Sequence, residues 1–147
     1  MSKLPYKATR EAAPSGDKLH RTTQSAVELY LASVGIFGGL IGEVRELSKK
    51  KPDATLSKGK VRIINRVLTD LKLVLSSEPE SKFLDLLDDE ELPQTSDAVL
   101  VMVQFESALK EFPLRYFRSF KTGVSSYGGA EYKKFWVTEF FDPPNQG

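Results

Sequence analysis

The chain has 147 residues, of which 40% are hydrophobic and 28% charged, and its net charge is +1. That balance excludes a disordered or collagen-like chain and removes any overall basic excess that would by itself point to nucleic acid. There is no cysteine and a single histidine, His20. Disulfides, thiolate metal sites, a cysteine nucleophile and histidine-pair metal sites are therefore excluded.

In chain order, residues 1–21 read as a flexible polar arm containing Pro14, Ser15 and Gly16. No apolar run in the first 22 residues resembles a secretory signal, so the expected location is the cytoplasm. Residues 22–50 predict a long helix. Val27, Tyr30, Val34, Phe37, Ile41 and Val44 recur at alternating spacings of three and four, and a second stripe runs through Ala26, Leu29, Ser33, Ile36, Leu40 and Leu47. Two adjacent stripes give a wide apolar face, which places this helix at the centre of the fold. The uncharged stretch 29–42 holds 14 residues, short of the roughly 20 that span a bilayer, so no transmembrane segment is expected.

Gly35, Gly38, Gly39 and Gly42 fall inside that helix. Each costs about 1 kcal/mol against alanine, so about 4 kcal/mol must be offset or the helix must break. The glycine pairs four apart leave shallow grooves, and the expectation is close packing there, by a neighbouring segment or by a partner helix, including a second copy of the chain.

Residues 56–76 repeat Val61, Ile64, Leu68, Leu71 and Leu75, a second helix. Residues 78–88 predict a short helix opened by a Ser77/Glu80 capping box, with Pro79 in its first turn. Residues 97–112 predict a further helix with Ala98, Val101, Met102, Phe105, Leu109 and Phe112 on its apolar side, and Glu106 with Lys110 as an i,i+4 pair. Helix is preferred to a buried strand over 98–103 because the apolar face continues to Phe112. A helix over 113–121 follows, and residues 130–141 are read as a last helix or as an extended segment. The expected fold class is all-α, an antiparallel bundle of four or more helices with a central glycine-containing helix. Residues 22–141 form one helical-bundle domain in this reading, and 142–147 a C-terminal tail.

The near-neutral total hides blocks of charge. Residues 1–22 carry +3, 23–75 carry +4, 76–111 carry −8 and 112–147 carry +2. Asp85, Asp88, Asp89, Glu90 and Glu91 form an acidic surface near a helix end, where the dipole disfavours them, so they are either solvated or matched by a basic surface. Asp85, Asp88 and Asp89 would share one face of that helix, but EF-hand spacing is absent and no metal site is expected. Lys58, Lys60, Arg62, Arg66 and Lys72 line the second helix and are candidate phosphate contacts, or the solvated side of an amphipathic helix.

Ten of the 15 aromatic residues lie in 112–141, interleaved with basic residues. Arg115, Tyr116, Arg118, Lys121, Lys133 and Trp136 are the candidate partner-binding residues. Aromatic rings mixed with cations suit a protein-binding surface or a single-stranded nucleic-acid platform, although part of this segment must also close the core. No nucleophile elbow, zinc-protease or paired-carboxylate motif is present, so no enzyme and no cofactor is expected. The expected function is a non-enzymatic interaction protein, an adaptor, an inhibitor or immunity-type protein, or a small accessory subunit. It would bind a macromolecular partner through the aromatic-basic C-terminal surface, the acidic turn, or both. The alternative is a nucleic-acid-associated subunit that contacts phosphate through the second helix and the C-terminal basic residues, and an enzyme or a membrane-active helical protein ranks below both.

Overall fold

A computed structural model of the chain describes residues 18–144. Expectations for residues 1–17 and 145–147, most of the polar arm and the end of the tail, lie outside the described residues. Three α-helices, α1 (Gln24–Lys50), α2 (Lys58–Val74) and α3 (Thr95–Tyr116), are followed by an antiparallel hairpin of β1 (Phe117–Val124) and β2 (Ala130–Trp136). The all-α bundle of four or more helices is therefore corrected to an α+β fold. The chain groups into two compact units, one of Glu28–Lys110 and the other of residues up to Val27 together with those from Glu111 onward.

In the first unit the helical periodicities are realised as burial. Val61, Ile64, Leu68, Leu71 and Leu75 are all at most 3% exposed, and Phe37, Ile41 and Val44 of α1 and Met102, Phe105 and Leu109 of α3 are buried as well. Phe37 meets Phe105 with ring centroids 6.5 Å apart. Ser57 caps α2 by accepting the Lys60 N–H, the role its short hydroxyl suits. The loops before α2 and α3 are stitched together. Leu56 N–H donates to the Pro93 carbonyl and Thr95 N–H to the Ala54 carbonyl, while the Thr95 hydroxyl donates toward the carbonyls of Lys51 and Pro52.

The short helix expected over 78–88 is only a 3₁₀ turn, Pro79–Phe83. Its first flanking residue is Glu78, and no side chain caps it, so the Ser77/Glu80 capping box is also corrected. Beyond it, residues 84–88 carry no helix, and Asp85, Asp88 and Asp89 share no helical face.

In the second unit, the expected helices over 113–121 and 130–141 are replaced. Residues 113–116 extend α3, with Pro113 inside it, and the chain then turns into strand at Phe117. Of the two readings of 130–141, the extended one describes 130–136. A two-stranded ribbon is marginal by itself and needs a packed face. Here the base of the ribbon supplies one. Trp136 lies 4.9 Å from Phe117 and 5.8 Å from Phe112, ring centroid to centroid, and Phe120 and Phe135 both meet Phe141. The start of α1 is pinned to the chain that follows the ribbon. Thr22 N–H donates to the Val137 carbonyl, Arg21 Nη1 donates to the carbonyls of Thr138 and Phe141, and a Glu139 carboxylate oxygen accepts the N–H of Gln24. That carboxylate occupies the end of α1 where unpaired N–H groups and the dipole favour negative charge.

Candidate functional site

The hairpin is the feature that stands out in charge and exposure. Its register pairs Phe117 with Trp136, Arg118 with Phe135, Ser119 with Lys134, Phe120 with Lys133 and Lys121 with Tyr132, with an irregularity between Lys121 and Gly123. Side chains alternate along a strand and cross-strand partners share a face. One face therefore carries Phe117, Lys121, Tyr132, Lys134 and Trp136, and the other carries Arg118, Phe120, Lys133 and Phe135. Both faces interleave aromatic rings with cations along the register. Arg118, Lys121, Lys133 and Lys134 are all exposed. Between Phe117 and Trp136 the ribbon holds these four cations and a single acid, Glu131. Lys134 sits over the Phe117 ring, 5.7 Å from its centroid.

The loop that closes the ribbon is ordered by its own backbone. Gly128 N–H donates to the Ser125 carbonyl, Ser125 N–H to the Gly129 carbonyl, and Gly129 N–H to the Ser125 hydroxyl. Gly128 holds φ at 85°, a conformation that resists a side chain. Tyr127 is 98% exposed at the tip, and Tyr132 is 61% exposed.

Of the six partner-binding candidates, Arg118, Lys121 and Lys133 stand exposed on the ribbon and Arg115 is half-buried at the end of α3. Tyr116 and Trp136 are corrected. They are 2% and 6% exposed and belong to the core, where Tyr116 packs on Phe112 at 5.1 Å. Sequence reasoning did not single out Tyr127, Tyr132 and Lys134 as site residues. The signal that would have found them is the Ser125–Gly129 turn flanked by two aromatic runs.

The remaining candidates have simpler placements. The acidic residues Asp85, Asp88, Asp89, Glu90 and Glu91 are exposed, and Asp88 accepts the N–H groups of Glu90 and Glu91, which hold its carboxyl below the usual range. Among the described residues no group of three or more histidine or acidic side chains is placed to hold a metal ion. On α2, Lys58, Lys60, Arg62 and Arg66 are exposed and Lys72 is half-buried. Lys60 and Glu43 stand at an apolar groove of about 210 Å³ lined by Leu40, Val44, Leu56 and Ile64, among others.

Among the described residues no atom comes within 4 Å of a methyl group built at Gly35, Gly38, Gly39 or Gly42, so of the two expected occupants of the glycine groove the neighbouring segment is not found there. Ile36, on the second apolar stripe, is 58% exposed. By length and composition α1 could cross a membrane, and 22% of its most apolar 18-residue window is buried. His20 is exposed, with its ring centroid 5.2 Å from that of Tyr116.

No family model, curated protein or solved structure matches this chain.

Proposed function

We propose that this chain is a non-enzymatic, cytoplasmic interaction protein that binds an anionic macromolecular partner through its β-hairpin. One observation carries the reading. Four exposed cations and two exposed tyrosines stand on a ribbon whose other large rings are packed at its base. Desolvating a charge is unfavourable unless an opposite charge meets it, so a surface of this kind selects anionic partners. Tyrosine adds contact area at low entropic cost. The acidic turn is not needed for this reading, because its Asp88 carboxylate is engaged by its own backbone.

The test is binding of the full chain to two immobilised anions, polyglutamate and mixed-sequence duplex DNA, in dilute buffer. The expected result is capture by at least one of them, and loss of about tenfold or more in affinity in the variant Arg118→Glu/Lys133→Glu with its thermal midpoint unchanged. No capture by either anion, or undiminished capture by the folded variant, overturns the proposal.

A further inference from the structure

We infer that the hairpin enters the major groove of duplex DNA, with phosphates meeting it on both of its faces. The inference rests on the reading above and names the class of partner. Its basis is the distribution of charge about the ribbon. Arg118 and Lys133 project from one face, and Lys121 and Lys134 from the other. A flat acidic surface on a protein meets one face of a ribbon at a time and leaves the cations of the other face in water. A groove walled by phosphate on both sides engages both.

Size selects the groove. A β-ribbon with its side chains is about 10 Å thick, judged by the face-to-face spacing of sheets. The major groove of B-DNA is about 12 Å wide and admits a two-stranded ribbon, whereas the minor groove is about 6 Å wide. The major groove of A-form RNA is too narrow for side chains to read. Reach is sufficient as well, because the stretch of β1 beyond the packed rings, Lys121 to Val124, extends about 13 Å at about 3.3 Å per residue, against a groove about 8.5 Å deep.

Four of the ribbon's six rings are closed to the stacking that a single strand needs. A single-strand platform offers open ring faces for bases to stack on. Here Phe117 and Trp136 face each other at 4.9 Å, and Phe120 and Phe135 meet at 6.3 Å and both touch Phe141. Tyr127 at the tip and Tyr132 beside Lys121 are the large exposed rings of the ribbon.

The experiment measures binding of the full chain to a 20-base-pair DNA duplex, the same sequence as duplex RNA, one DNA strand alone, and polyglutamate, each across a salt series. Variants reverse one face at a time, Arg118→Glu/Lys133→Glu and Lys121→Glu/Lys134→Glu. Lys121→Glu alone serves as the second-face control, because it leaves the Lys134–Phe117 contact in place. The expected result is tightest binding to duplex DNA, with either face reversal lowering affinity about tenfold or more and flattening the log–log salt slope by about 2. Preference for the single strand or for duplex RNA overturns the inference. Binding to polyglutamate alone, lost through one face only, overturns it in favour of an acidic protein and leaves the proposed function standing. No binding to any of the four probes overturns both.

Discussion

The side-chain amide of Asn65 and the backbone of Leu87 are joined by two reciprocal hydrogen bonds. Asn65 Nδ2 donates to the Leu87 carbonyl at 2.8 Å, and Asn65 Oδ1 accepts the Leu87 N–H at 2.9 Å. A carboxamide carries a donor and an acceptor side by side, so it can serve both peptide groups of one residue at once. The pair ties an irregular acidic segment to α2 where Leu87 buries its side chain.

Replacing Asn65 by alanine leaves a half-buried N–H and a carbonyl without partners, at a cost of about 1–3 kcal/mol. Asn65→Asp keeps the acceptor, loses the donor and sets a carboxylate against a carbonyl, so it falls in the same range or above it. Denaturant unfolding reads the loss, and amide hydrogen exchange at Leu87 should accelerate. Unchanged Leu87 exchange in Asn65→Ala would contradict the clasp.

The same substitution, glycine to alanine, should act with opposite sign at two places. Gly35 and Gly39 are helical, with open space where a methyl group would stand. Alanine at each should stabilise by about 0.5–1 kcal/mol by restricting the unfolded chain. At Gly128 the positive φ makes alanine unfavourable by about 1 kcal/mol or more. Thermal melts of the single variants decide this. A fall in stability for Gly35→Ala would show that something covers the glycine face in solution.

Arg45 and Glu106 form a two-pronged ion pair, Nη1 to Oε2 at 3.0 Å and Nη2 to Oε1 at 2.8 Å. Hydrogen bonding from the guanidinium, with further attraction from Arg45 and Lys110, holds the Glu106 carboxyl below its ordinary range. A folded-state pKa below the unfolded one means that the contribution is present above the unfolded value, about 4.3 for a glutamate. It is lost as pH falls through the folded value. Glu106→Gln should therefore melt below the parent at pH 7, and the difference should narrow at a pH below the ordinary glutamate range. A gap of equal size at both pH values would remove the ion pair as its cause.

Much of the helical part was legible in the residues alone. The Val61–Leu75 stripe is local, repeats over several turns, and buries the side chains it marks. The expected pairing of Glu106 with Lys110 is not formed as an ion pair: Lys110 acts on Glu106 only as a nearby charge, and the bonded partner is Arg45, 61 residues away in the chain, which no local spacing reveals. Of the candidate site residues, the exposure of Arg118, Lys121 and Lys133 was legible from their charge, whereas the burial of Tyr116 and Trp136 was not.

What the amino-acid order determined by itself is the set of helices with sustained periodicity, the separation of acidic from basic segments, and the absence of thiol chemistry. Each follows from residue identity or from neighbours a few positions apart. Tertiary structure decided the rest. Residues 117–136 contain apolar spacings that suit either period, and a ribbon of two strands gains little until Trp136 meets Phe112 and Phe141 meets Phe120 and Phe135. The register of that ribbon places cations on both faces and turns Trp136 inward. Such contacts join residues distant in the chain, so their energy enters only when the chain has folded.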